Sequence, residues 1–240
     1  MDQTALRDRI IGKAVDFGAD DAGVCRASDL LDGPTHRKFL LPEGIERHHS
    51  ILVFGLNHPA REPELDHFIK KAGFRYGNSE GNRRLMNISR RLGQWLMEEK
   101  IASRDLHYYV ERGGVFLKGA AVLAGLGVIG VNNLLIHPGY GARIRFRAHL
   151  IDAPLPPSAP LDFEPCSGCL RPCLDACPEA ALDENGYLAD RCQDRMDRDL
   201  EEGTVVSAAK GQPAGRVVRY CRVCEMACSY TGMLEEGKRI

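Results

Sequence analysis

The sequence predicts an α/β (α+β) domain followed by a small cysteine-rich module, and three observations carry that prediction. Apolar residues recur at helical spacing in some segments and form short strand-like runs in others. Five prolines crowd the fourteen residues "DAPLPPSAPLDFEP", a composition that favours extended backbone and breaks helices. Eight of the nine cysteines lie beyond residue 165. The boundary is therefore expected at the proline-rich stretch, with one domain over 1–155 and a module over 156–240.

Each element has its own signal. Leu6, Ile10, Ala14 and Val15 mark a first helix that Gly18 stops. "AGVCRA" reads as a short buried strand in which Cys25 is a small core residue, and "SILVFGLNH" as a second strand. Leu85, Ile88, Leu92 and Leu96 mark a long helix from about Ser79 to Lys100. Its Arg83, Arg84, Arg90 and Arg91 read as a solvated face. "DLHYYVE" reads as a third strand and "FLKGAAVLAGLG" as a small-residue helix. "NNLLIHPGYGARIRFRAHLI" reads as a hairpin turning at Pro138, Gly139 and Gly141. Ala142, Ile144, Phe146, Ala148 and Leu150 alternate there with Arg143, Arg145, Arg147 and His149. One face is core and the other cationic. It is either a solvated outer face or a wall for an anionic ligand, because alternation fixes the face and not what covers it.

Composition narrows the function classes. A net charge of −1 leaves no basic excess to neutralise many phosphates. No run approaches eighteen apolar residues, so no membrane span is expected. "MDQTALRDRIIGKAVDFG" is charged and amphipathic, unlike a signal peptide. A cytoplasmic location is expected, where disulfides are rare and crowded cysteines read as metal ligands.

The cysteines are ordered. Cys166, Cys169 and Cys173 are separated by two and then three residues, and so are Cys221, Cys224 and Cys228. Cys177, followed by a proline, closes the first run. In ferredoxin-type sequences three close cysteines wrap one 4Fe–4S cube, and the fourth of such a run ligates the other. Crossing then assigns Cys166, Cys169, Cys173 and Cys228 to one cluster, and Cys177, Cys192, Cys221 and Cys224 to a second. Zinc, which also accepts four thiolates, is the competing metal. Two 4Fe–4S clusters are preferred because zinc ribbons bring two separated pairs rather than four ligands in twelve residues.

"GLGVIG", Gly125 to Gly130, matches the dinucleotide pattern G-x-G-x-x-G, but a helix leads in and a strand leads out. The fingerprint needs the reverse order, so a dinucleotide site is rejected.

Five stretches, "DDAGVCRASDL", "LPEGIERHHSILVFGLNHP", "AAVLAGLGVIGVNNLLI" and the cysteine runs "CSGCLRPCLDACPEAAL" and "RYCRVCEMAC", together resemble the cobalamin-dependent epoxyqueuosine reductases and their shorter relatives. The resemblance implies a nitroreductase-like corrinoid domain, of a class that elsewhere binds flavin, joined to a ferredoxin-like module with two 4Fe–4S clusters. Cobalamin is the implied cofactor, with flavin less favoured. By gap-free spacing to "AGLG", Glu111 stands where the family has a catalytic aspartic acid. Val128 and Val131 stand where the family usually carries Trp and Lys, and Ser229 where proline is common. The family's full-length enzymes continue into a helical-repeat region that helps hold tRNA, whereas this sequence stops soon after Cys228. With its net charge, tRNA is not expected as a partner.

The expected function is an iron–sulfur oxidoreductase that takes electrons from a donor such as ferredoxin or flavodoxin. It would pass them through two clusters to a cobalamin for reduction of a small molecule or a corrinoid protein. An electron-transfer or activation protein serving a partner's corrinoid or flavin is the alternative, and epoxyqueuosine reduction on tRNA the third reading. The cobalamin is expected between the loop carrying Gly125, Gly127, Gly130, Asn132 and Asn133 and the face carrying Arg143, Arg145 and Arg147, with Glu111 on the reaction side as general acid.

Overall fold

The structure, a computed structural model, describes residues 2–32, 43–71, 78–206 and 215–230, without the side chains of Asp32 and Lys71. Leu41 and Pro42 of the "LPEGIER" segment, and residues 207–214 and 231–240 of the expected module, lie outside the described residues.

The chain runs through α1 (Gln3–Asp16), β1 (Asp21–Arg26), α2 (Ala27–Asp32), β2 (Ser50–Asn57), β3 (Phe68–Lys71), α3 (Glu80–Glu98), β4 (Ser103–Asp105), α4 (Leu117–Leu123), β5 (Val128–Ile129), β6 (Leu135–Ile136) and β7 (Ile144–Ile151). Beyond the prolines come α5 (Pro172–Asp175), β8 (Leu182–Asp183), β9 (Gly186–Tyr187), α6 (Ala189–Glu201), β10 (Thr204–Val206), β11 (Gly215–Val218) and α7 (Val223–Met226). The result is a mixed α/β fold. No helix among the described residues is long and apolar enough to cross a membrane.

The main sheet has the order β1-β2-β7-β4, with every neighbouring pair antiparallel. Helices cover both faces. Ile10 and Ala14 of α1 pack with Leu85, Ile88, Leu92 and Leu96 of α3 against Val24, Leu52, Phe54 and Ile151. On the other side Ala120 and Ala121 of α4 meet Cys25, Ile51, Val53, Phe146 and Ala148. Ser79 starts α3 as its N-cap, its Oγ accepting from the Asn82 N–H at 3.2 Å. The exposed arginines of α3 are solvated as expected, with Arg83 and Arg84 bonded to Glu80.

Three expectations need correction. "DLHYYVE" is a strand only at its start. Beyond β4 the chain turns, the Tyr109 N–H donating to His107 Nδ1 at 3.0 Å, and Val110–Arg112 form a 3-10 turn. The expected hairpin turns where predicted, His137 and Gly141 exchanging backbone hydrogen bonds at 2.8 Å, but its strands do not pair: β6 pairs with β5, and β7 with β2 and β4. Nor is the cationic face of β7 open. All of β7 except Arg145 is buried, because α3 lies over that face and supplies polar partners. Arg147 donates to Asn82 Oδ1 at 3.2 Å, and His149 Nδ1 lies 3.2 Å from Ser89 Oγ.

The two parts share structure across the proline boundary. β11 pairs with β3, setting Val217 opposite Ile69, in a second sheet β10-β11-β3. The proline-rich connector is itself pinned to β1: the Ser158 N–H donates to the Val24 carbonyl at 2.8 Å, and Val24 returns its N–H to Ser158 Oγ.

His149 makes a stability prediction. Burial pushes its imidazole from 6.5 down to about 4. Between those values the unfolded chain takes up a proton that the folded chain refuses. Stability is therefore full above about 6.5 and lost as pH falls towards about 4, by roughly 3 kcal/mol at one pKa unit per 1.36 kcal/mol. The urea midpoint should fall across this window, and His149→Gln should flatten the fall. An unchanged slope in that variant would show that another group carries it.

Candidate metal centres

The module folds so that its cysteines meet across the two runs. Burial raises the Cys173 thiol, and the nearby Cys228, Cys166 and Cys169 raise it further. Burial together with Cys221, Cys192 and Cys177 pushes Cys224 up to about 11. Each influence is a like charge close at hand. The thiols thus form two groups, Cys166/Cys169/Cys173/Cys228 and Cys177/Cys192/Cys221/Cys224, each taking members from both runs.

Local structure holds these groups. Pro172 starts α5 and Arg171, in the left-handed region at φ 54°, turns the chain between Cys169 and Cys173. The Arg171 N–H points at Cys169 Sγ, 3.3 Å away, and Ser229 Oγ lies 3.0 Å from the same sulfur. The Ala181 N–H meets Cys177 Sγ at 3.3 Å. α6 carries Cys192 and also Asp199, whose buried carboxylate accepts the Cys221 N–H at 2.7 Å. One helix therefore supplies a member of the second group and anchors another. Tyr187 stands close to Cys192, and burial together with that thiol raises its phenol.

Four mutually repelling thiolates are a costly arrangement unless a cation offsets them, since a bound metal reverses this pKa logic. Among the described residues no three of the cysteine sulfurs lie within 4.8 Å of one another. Around a tetrahedral zinc with bonds of 2.3 Å, four sulfurs sit about 3.8 Å apart. No three of these sulfurs are therefore gathered as closely as around a zinc ion.

Cys25 stands apart. It is fully buried in β1, and burial pushes its thiol up to about 12, which keeps it protonated. Cys25→Ala should leave metal content unchanged and cost about 1 kcal/mol of packing. A loss of metal in that variant would make it a ligand.

The "GLGVIGVNN" loop lies between the two cysteine groups. Val131 and Asn132 line a hollow with Cys166, Cys169, Cys173 and Cys228, while Asn132 Nδ2 donates to the Cys224 carbonyl at 3.4 Å. Lys118 Nζ donates to the Asn133 carbonyl at 2.6 Å. Burial lowers its pKa, an effect that nearby Cys192 opposes. The glycines serve this packing rather than a flat ligand. A Cβ on Gly125 would stand 2.4 Å from the Ala159 carbonyl oxygen, and one on Gly127 2.3 Å from that of Ile136. A Cβ on Gly130 would also meet Ile136, at 2.8 Å from Cγ1.

The arginines are likewise engaged. Arg145 pairs with Asp66 and Glu225, Arg147 with Asn82 and Asp105, and Arg143 is buried. The expected ligand wall of Arg143, Arg145 and Arg147 is an internal surface. Glu111 lies in the exposed 3-10 turn after Tyr108 and Tyr109. His58, Asp66, Arg222 and Glu225 were not singled out in the sequence. The alternation of Arg222 and Glu225 with Cys221 and Cys224 in "CRVCE" was their only signal.

A further group, His48, His49 and Asp152, lies at the opposite end of β2. His49 Nδ1 accepts the Glu46 N–H at 2.9 Å, so the ring proton sits on Nε2, which faces Asp152. That nitrogen cannot also donate a lone pair to a cation, and the group is a polar contact rather than a metal site.

No family model matches the chain. Over 196 residues it is 33% identical to the epoxyqueuosine reductase of Synechococcus sp. (strain RCC307), covering 80% of this chain and 57% of that protein. The chain is a relative of the epoxyqueuosine reductases. The reductase of Aliivibrio fischeri is 26% identical over 181 residues, covering 69% of this chain and 47% of its own length. The chain spans about half the length of these relatives. Among solved structures, an epoxyqueuosine reductase with an epoxyqueuosine-modified tRNA stem loop matches with a TM-score of 0.67 at 18% identity, covering 100% of this chain and 68% of that one. A reductive dehalogenase, described with a mechanism for B12-dependent dehalogenation, matches at 0.58 and 19% identity over 80% of this chain and 29% of its own. At such identities the two structures share the fold.

Proposed function

We propose that the chain is an iron–sulfur oxidoreductase of epoxyqueuosine reductase type. Cys166, Cys169, Cys173 and Cys228 would hold one 4Fe–4S cluster, and Cys177, Cys192, Cys221 and Cys224 the other. The crossed grouping of these eight thiols, in runs of ferredoxin-type spacing, carries the reading. Residues 1–155 are read as the nitroreductase-like, corrinoid-binding domain and 156–240 as the ferredoxin-like module, in a reducing, cytoplasmic setting. Bound clusters would supply one-electron transfer from a ferredoxin- or flavodoxin-type donor.

Cobalamin is the second cofactor proposed, supported by the epoxyqueuosine reductase and B12-dependent dehalogenase relatives. The residues first expected to contact it do not fit that task, because Gly125, Gly127, Gly130, Arg145 and Arg147 are committed to protein contacts. Its place is instead assigned to the open surface beside Tyr108, Tyr109 and Glu111. Reducing a C–O bond requires a proton on the departing oxygen. Glu111 is the exposed carboxyl on that turn and the general acid we assign to it. Cobalamin added to the anaerobic protein should change its visible spectrum; no change in either oxidation state removes cobalamin from the account.

A tRNA substrate returns as the second reading. The expectation against it rested in part on a net charge of −1, yet this chain matches over its whole length a reductase solved with a tRNA stem loop. Submicromolar, salt-dependent binding of an epoxyqueuosine-modified stem loop supports this reading. No binding at low salt leaves a small molecule or a corrinoid protein as substrate.

A further inference from the structure

We propose that Asp66, Arg145, Glu225 and Arg222 form a closed ring of ion pairs that docks the second cysteine run onto the N-terminal sheet and sets the charge felt by the cluster there, with Arg145 as its positioning residue. The proposal rests on the reading that Cys177, Cys192, Cys221 and Cys224 hold a 4Fe–4S cluster.

The ring alternates in sign and crosses the proline boundary twice. Arg145 Nε lies 3.1 Å from Asp66 Oδ1, and its Nη2 lies 2.7 Å from Glu225 Oε2. Arg222 Nη1 lies 2.5 Å from Asp66 Oδ2, and its Nη2 closes the ring on Glu225 Oε1. Asp66 and Arg145 come from the first part of the chain; Arg222 and Glu225 come from the second, interleaved with Cys221 and Cys224. Each guanidinium bridges both carboxylates, a use of arginine's planar fork that lysine cannot copy. The Glu225 side chain is 4% exposed and that of Asp66 17%.

Burial alone would raise the Asp66 carboxyl, but His58, Arg145 and Arg222 together hold it below the usual carboxylate range. His58 Nδ1 is 2.9 Å from Asp66 Oδ1, though off the hydrogen-bond line, and Arg222 Nη2 donates to the His58 carbonyl at 3.3 Å. The first turn of α3 presses on this group, since a Cβ on Gly81 would stand 2.1 Å from His58 Cε1.

Removing one partner of such a group leaves a buried, uncompensated charge, which costs far more than the pair contributes. Without Arg145, Asp66 and Glu225 would share Arg222 alone, leaving one net negative charge in the ring, with Glu225 next in sequence to Cys224. An extra negative charge opposes reduction of the adjacent centre, and loss of Glu225 favours it.

The test uses the full chain reconstituted anaerobically with iron and sulfide, with cluster midpoints read by electron paramagnetic resonance. Arg145→Gln should shift the one-electron reduction equilibrium of the second cluster at least tenfold to the oxidised side, about 59 mV. Glu225→Gln should shift it to the reduced side, and the double variant should return within threefold of the parent. The first cluster should stay within threefold throughout. Shifts of the same sign in both single variants, or none with iron bound, overturn the charge assignment. If Arg145→Gln cannot hold iron, Glu225→Gln and Arg145→Lys carry the comparison, the lysine variant keeping the parental midpoint. Docking is read separately, without iron, by amide exchange at Phe68 and Val218, which stand opposite each other where β3 meets β11. Exchange at least tenfold faster in Arg145→Gln supports the ring; unchanged exchange overturns it. A parent chain that binds no iron fails the cluster reading, while the exchange result still judges the ring.

Discussion

Cys192→Ser is expected to cost the chain half its iron, from about eight atoms to about four. Cys192 belongs to neither cysteine run and sits on α6, a helix with no other cysteine. It nevertheless stands close enough to Cys224 to raise its thiol, and it raises the Tyr187 phenol as well. A serine at that position keeps the helix and removes a thiolate. The four cysteines of the first group are untouched, so one paramagnetic signal should persist after reduction and the other should vanish. Cys192→Ser with full iron content and two unchanged signals would break the crossed assignment. Loss of both clusters would instead mean that the second group is needed to fold the module.

Glu111→Gln is expected to lower turnover by about 10²–10⁴-fold, the range that a positioned general acid contributes. Glutamine keeps the size and polarity of the side chain but cannot give up a proton to a departing oxygen. Because Glu111 is exposed and ends no buried strand, the substitution should leave iron content and cobalamin binding at parental levels. That combination separates a catalytic role from a structural one. Parental turnover in the variant would remove Glu111 from the mechanism.

Much of this was legible from the residues, and the failures have physical causes. The stripe Leu85, Ile88, Leu92, Leu96 read correctly as α3 because one buried face at period 3.6 leaves a strong signature. β7 misled because its alternation is real while its second face is covered. Arg145 finds Asp66, in the 3-10 turn Pro63–Asp66, and Arg147 and His149 find Asn82 and Ser89 of α3, far off in sequence, which no local pattern announces. The glycines of "GLGVIGVNN" read as room for a flat ligand because close approach looks the same whether the neighbour is a ligand or a carbonyl; here it is Ala159 and Ile136. "DLHYYVE" has strand composition, but His107 Nδ1 captures the Tyr109 N–H and turns the chain. Which thiols come together could be read from the spacing of the two runs, and the folded module sets Cys228 beside the first run and Cys177 beside the second.

The most direct test of the central claim is metal content after anaerobic purification or reconstitution, measured together with the visible spectrum. The account predicts about eight irons per chain, a brown protein that bleaches on reduction, and no stoichiometric zinc. Two zinc ions per chain in a colourless protein would contradict it, and would place all eight cysteines in structural sites.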